Sequence, residues 1–155
     1  MVVAQRRRVV GFTLIEMLVV LTVVVLLTVA AAPSFSDIVA RHRVKSAATD
    51  LYFALAKARS EAVKRNANVT VSPQAGGWQS GWQILDASNA VLESHGAVTG
   101  ASITGGPASL VYLSSGRVQG NAAAGFLITG LTASSSQRCV LAALSGRPYV
   151  KSAAC

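Results

Sequence analysis

Polar and apolar positions fall into three zones along the chain. Arg6, Arg7 and Arg8 precede a run over residues 12–32 that carries three threonines and a single charge, Glu16, and is otherwise apolar. A helix of about 20 residues, rising about 1.5 Å per residue, spans a hydrocarbon core of about 30 Å. Arginines on its N-terminal side favour a cytoplasmic N-terminus, which places everything after Pro33 across the membrane. Pro33 removes a hydrogen bond from the helical ladder and is expected to kink it. The helical pattern then resumes. Val44, Ala48, Leu51, Leu55, Ala58 and Ala62 recur at spacings of four and three, while Arg41, Arg43, Lys45, Lys57, Lys64 and Arg65 lie mostly off that face. This predicts an amphipathic half-helix over 33–67 that ends near Arg65 to Ala67, with cations at the negative end of its dipole.

From Asn68 the period shortens, and short apolar runs alternate with turn residues. Strands are expected at 69–71, 82–85, 90–93, 98–103, 110–113 and 126–129. Turns are expected at 73–77 and 86–89, the second closing a hairpin. Residues 110–118 read as strand, turn and strand. Residues 138–144 and 149–152 read as a terminal hairpin. A turn centred on Arg147 sets Cys139 opposite Cys155, since both are equally far from it in sequence. Directly opposed residues can be bridged. The expected fold class is α+β, a long N-terminal helix packed on an antiparallel β-sheet.

Composition narrows the chemistry. The chain has 155 residues and a formal net charge of +8. The segment beyond Pro33 suffices for one small domain, which gains from a covalent staple. On the far side of the membrane, Cys139 and Cys155 are expected to be oxidised to each other. Two cysteines and the distant His42 and His95 lack zinc-ligand spacing, so no metal is expected. No Walker loop, dinucleotide fingerprint or nucleophile motif is present, so neither a cofactor nor an enzymatic activity is expected. Glu93 is the last acidic residue, and Arg117, Arg138, Arg147 and Lys151 come after it without a carboxylate. Such cations can meet phosphates without reading sequence, and Tyr149 can stack on a base.

Several readings compete for the N-terminal zone. A signal peptide finds a small-residue site at Ala30-Ala31-Ala32, but Pro33 comes directly after it, a poor residue just past a protease cut. An Arg-Arg export signal is a variant of that idea. A plain anchor leaves Glu16 unexplained: near the end of a spanning helix a carboxylate costs less than the about 2.5–3.5 kcal/mol of one at the centre, but it is still unfavourable. The string Gly11-Phe12-Thr13-Leu14-Ile15-Glu16, with arginines ahead and an apolar run behind, resembles the processing site of type IV prepilins. The resemblance implies cleavage after Gly11 by a prepilin peptidase and N-methylation of Phe12. It also implies that Glu16 neutralises the terminal amine of a neighbouring subunit, a pairing that lowers the cost of burying either charge. A proline at the place of Pro33 is common in that family.

The resemblance narrows further along the chain. Gly77-Trp78-Gln79-Ser80-Gly81-Trp82, Ser115-Gly116-Arg117-Val118 and the late Gly146-Arg147 look like the GspH/FimT family of minor pilins and minor pseudopilins. This implies the type IV pilin fold. The implied regions are a leader over 1–11, a transmembrane and assembly helix over 12–32, an amphipathic half over 33–67, and a periplasmic sheet domain over 68–155. The implied partners are major and minor pilins, the prepilin peptidase and the inner membrane, with later residence in a pilus or a type II secretion pseudopilus. FimT-type relatives include DNA-binding subunits with a Gly-Arg-x-Arg motif. Here Gly146-Arg147-Pro148-Tyr149 lacks the second arginine, with Lys151 nearby. The DNA-binding candidates are therefore Arg117, Arg138, Arg147 and Lys151.

Overall fold

The computed structural model describes residues 11–131 and 136–155, apart from the side chains of 30–34. The arginines of the leader lie outside the described residues, and at Pro33, the place of the expected kink, the helix runs on without a break. Among the described residues one helix, α1 (Leu14–Arg65), is followed by eight strands, and the chain divides into units Met1–Phe35 and Ser36–Cys155. The helix begins at Leu14 rather than at residue 12, because Thr13 caps it. In the first unit the hydroxyls of Thr22 and Thr28 donate to the carbonyls of Val19 and Val25 at 2.7 and 2.8 Å, so those polar groups are satisfied within the helix. Among the described residues no helix is long and apolar enough to cross a membrane. The expected span runs on through residues 30–32, whose side chains are outside the described set.

In the second unit the predicted apolar face is the buried one. Val44, Ala48, Leu51, Leu55, Ala58 and Ala62 are all 0–1% exposed. Full burial of a leucine stabilises by about 1.5–3 kcal/mol, so Leu51 and Leu55 anchor the helix to the sheets. The helix ends where Asn66 turns left-handed (φ 49°). The amides of Asn66 and Ala67 donate to the carbonyls of Val63 and Ala62, a Schellman cap that uses asparagine in place of glycine.

The strands form two antiparallel sheets where the periodicity suggested one. The first has the order β3 (Val91–His95), β2 (Gly77–Leu85), β1 (Val69–Gln74), β5 (Leu110–Tyr112). The second has the order β4 (Ala101–Gly105), β6 (Ala124–Gly130), β7 (Gln137–Ala142), β8 (Pro148–Lys151). The turn expected at 73–77 tightens to two residues between Gln74 and Gly77. Pro73 is tolerated in β1 because β5 pairs only with Val69 to Val71, so the proline costs no ladder bond on that side. The strand expected at 98–103 starts only at Ala101. Gln79 of β2 explains the shift: its side-chain amide donates to the carbonyls of Val98 and Ala101, and its oxygen accepts the amide of Ile103 at 2.8 Å. That one side chain fastens the first sheet to the second. The edge-on contact of Trp78 with Phe126, centroids 4.7 Å apart, does the same within the core.

Two turns of one design close the far end. Residue 118, expected in a strand, makes only an isolated bridge to Tyr112. Between them Gly116 donates to the Leu113 carbonyl and Leu113 donates to the Arg117 carbonyl, both at 2.8 Å. The β7–β8 turn repeats this, Gly146 to Ala143 at 2.8 Å and Ala143 to Arg147 at 3.1 Å. Each is a type I turn completed by a left-handed glycine, at φ 74° and 82°. The β7–β8 register pairs Ala142 with Pro148, which centres the hairpin on Ser145 instead of Arg147. The two turns touch. The Val118 amide donates to the Leu144 carbonyl, and Arg59 of α1 donates through Nε to the Gly116 carbonyl at 3.1 Å. A Cβ on Gly146 would lie 1.7 Å from that same carbonyl oxygen.

Urea unfolding of the full chain in uncharged detergent, read by the fluorescence of Trp78 and Trp82, tests two of these features. Gly146→Ala adds both a left-handed alanine and a backbone collision, and should destabilise by about 3 kcal/mol or more. Gly77→Ala has similar φ but no atom within 4 Å of its Cβ, and should cost only about 1–2 kcal/mol. Equal losses would show that the contact between the turns carries no energy. The second feature is Tyr112, whose buried hydroxyl has no hydrogen-bond partner among the described residues. Burial pushes its pKa from 10.0 up to about 12, against the opposing pull of the Arg59 guanidinium. The unfolded chain releases this proton first as pH rises, so stability is full below about pH 10 and is lost through about pH 12. Tyr112→Phe should remove that alkaline loss, and should hold or raise stability at neutral pH by about 1–2 kcal/mol.

Candidate functional site

The described part of the segment expected to be processed is exposed. Among the described residues no atom lies within 4 Å of the place a Cβ would take on Gly11, and Phe12 is 76% exposed. Thr13 and Glu16 form a reciprocal cap: the Glu16 amide donates to the Thr13 hydroxyl at 3.3 Å, and the Thr13 amide donates to a Glu16 carboxylate oxygen at 3.4 Å. This is a capping box, and its Thr-x-x-Glu spacing is legible in the sequence, beside the roles in directing methylation and in pairing with a neighbouring subunit that the resemblance implies for Glu16. The carboxylate is thereby folded back toward the helix start, one residue from the nitrogen of Phe12. The positive end of the helix dipole favours it there.

The four cations proposed for a binding surface separate into three places. Arg117 and Arg147 are exposed and each comes just after the left-handed glycine of one of the touching turns. They are brought together by Arg59 and the Gly116–Gly146 contact, and Arg59 had no sequence signal. The repeated Ser-Gly-Arg at 115–117 and 145–147 was a signal for the matched turns. Arg138 is elsewhere. Ile128, its partner on β6, is fully buried, so Arg138 lies on the helix-facing side of the sheet, at its edge. There it donates to the Ser152 hydroxyl at 2.7 Å and lines a cavity with Arg41, His42 and Lys45. Lys151 pairs with Cys139 on the opposite side of the sheet, and its ammonium sits 5.6 Å from the Tyr149 ring centroid.

The cysteines are bonded, Cα to Cα 5.1 Å, but not as opposed residues. Cys139 faces Lys151, and Cys155 lies four residues beyond the end of β8. The tail folds back over the sheet, so that a Cβ on Gly125 of β6 would meet the Cys155 sulfur at 3.6 Å. The expected direct opposition fails because the hairpin centre is two residues earlier than assumed. Closing a loop of 16 residues restricts the unfolded chain by about 3 kcal/mol. Near the helix end, the Ser88 hydroxyl and the Ala90 amide hold the Asp86 carboxyl below its ordinary range, fixing the β2–β3 turn.

Comparisons with known proteins agree with this architecture. The family model described as type II transport protein GspH matches residues 47–146, and the prokaryotic N-terminal methylation motif matches residues 6–32. No protein of curated function matches the sequence. Among solved structures, the type IV minor pilin FimU of Pseudomonas aeruginosa is 24% identical with a TM-score of 0.62, covering 72% of this chain and 90% of that one. A second crystal form of FimU gives 0.61. The minor pseudopilin EpsH from the type 2 secretion system of Vibrio cholerae is 19% identical with a TM-score of 0.55, covering 71% of this chain and 97% of that one. At these identities the structures establish the fold, while the GspH model spans well over half of the chain. The chain belongs to the GspH family of minor pilins and pseudopilins and carries their N-terminal methylation motif.

Proposed function

We propose that this chain is a minor type IV pilin, cut after Gly11, methylated on Phe12, and built into a pilus or its tip complex by its apolar helix. The single observation that carries this is the methylation motif lying on a helical run with one charge. The inner membrane holds the chain through residues 12–32 before assembly, with the second unit in the periplasm, where the disulfide persists. The prepilin peptidase and the neighbouring pilins are its partners. Its role is structural, with no catalytic step. The capping box supports a specific task for Glu16: it aims the carboxylate at the helix start, where cleavage creates a new amine. A pseudopilus of a type II secretion system is the sister reading, and a deletion strain that loses secretion while keeping its pili would favour it.

A second reading, DNA capture, is supported by the paired turns. Gly146-Arg147 lacks a second arginine in sequence, but Gly116-Arg117 supplies one across the turn contact. Beside Arg147 a groove of about 440 Å³ is walled by Tyr52 and Phe53 of α1, which offer aromatic faces to bases.

Glu16→Ala is expected to leave a membrane-resident, processed protein that fails to enter filaments, as scored by immunoblots of membrane and sheared-filament fractions. Normal incorporation would remove the charge-pairing role. For DNA, the full chain in uncharged detergent should bind duplex at micromolar or tighter concentration, with affinity falling as salt rises. Arg117→Ala and Arg147→Ala should each weaken binding by about tenfold and flatten the salt slope by about one. Absence of binding at low salt would leave the assembly role alone.

A further inference from the structure

The cavity that holds Arg138 carries a chemistry that neither assembly nor the paired turns account for. It measures about 420 Å³ and lies within the second unit. Three separate segments wall it: Arg41, His42 and Lys45 from α1, Gln137 and Arg138 from the start of β7, and Ser152 just past β8. Every one of these side chains can donate a hydrogen bond, and none is a carboxylate. No Asp or Glu lies beyond Glu93 in the sequence, so no side chain of the second sheet brings a counter-charge.

The carboxylates of the helix do not supply one either. Asp50 faces His95, and Glu61 pairs with Lys64 and Arg65. Asp86 and Glu93 lie with Arg65 and Lys57. Asp37 sits one turn before Arg41 and makes no ion pair among the described residues. Arg41, Lys45 and Arg138 therefore share one concavity with no anionic partner there. Like charges gathered in a recess repel one another and create a field that attracts anions, and a bound anion relieves the repulsion.

We propose that this cavity binds a phosphate-type oxyanion. Donors reach it from three directions, which suits a tetrahedral group with several acceptor oxygens better than a flat carboxylate with two. Arg138 is already oriented by its bond to the Ser152 hydroxyl, so its remaining guanidinium donors form a prepared fork. The cavity is several times larger than the ion itself, so the group enters as an ester with its substituent in the remaining space. An anionic lipid headgroup and a soluble phosphate ester present this same chemistry.

The test uses the full chain in uncharged detergent at constant ionic strength, with binding read by phosphorus NMR relaxation. The probes are inorganic phosphate, glycerol 1-phosphate and the short-chain lipid dihexanoylphosphatidylglycerol. Arg138→Gln and Lys45→Gln should each weaken binding by about tenfold, the loss of one charge-assisted contact. Arg117→Gln, outside the cavity, should leave it unchanged. Lys45 is exposed on the helix, so its variant keeps the test open should Arg138→Gln disturb the edge of the sheet. Tighter binding of the lipid probe identifies a headgroup as the source, and tighter binding of the two small probes identifies a soluble phosphate. No binding of any probe, or an equal loss in all three variants, overturns the proposal.

Discussion

The contact between the Gly116 carbonyl and the backbone at Gly146 is the constraint on which the second unit depends. It is a place with no room for a side chain, since a single Cβ would fall within bonding distance of the oxygen. Three elements converge there. One turn leaves the first sheet, the other joins the last two strands of the second sheet, and Arg59 reaches from the helix to the same carbonyl. The orientation of the terminal hairpin depends on it, and so do the positions of both turn arginines.

Gln79 performs a comparable task nearer the middle. Its side chain replaces strand pairing between sheets that do not share a ladder, giving the β3–β4 connection hydrogen bonds it would otherwise lack. Buried backbone groups demand such partners, and a half-buried amide supplies both donor and acceptor. With Trp78 on Phe126 beside it, the two sheets are held over the helix by a few specific contacts and a continuous apolar core.

Charge is distributed by the same architecture. On a strand, neighbouring side chains face opposite sides, so Arg138 and Lys151 end up on different faces although their strands are adjacent. The strand pairing that gives Arg138 a recess shared with the helix cations leaves Lys151 beside Tyr149 and the disulfide. Arg117 and Arg147, thirty residues apart in sequence, sit on turns that touch at Gly116 and Gly146. Four cations that resemble one another in sequence thus belong to three surfaces with separate chemistries.

Local patterns were enough wherever one segment sets its own environment. The helical face from Val44 to Ala62, the helix end at Arg65, the Asp86 turn and the processing motif around Gly11 to Glu16 were all readable, because period, cap and motif are properties of neighbouring residues. The capping box of Thr13 and Glu16 was equally readable from its spacing. The division into two sheets was not, since a strand's period is the same whichever partner it takes. Nor was the cysteine geometry: moving the hairpin centre from Arg147 to Ser145 shifts the register, and only the left-handed glycine within the folded turn decides that. Family, long helix and cysteine pair all follow from motifs and periods that neighbouring residues carry. Tertiary structure decided which cations meet, because that depends on the contact of two turns and on the face each strand presents, and neither is encoded by any single stretch of chain.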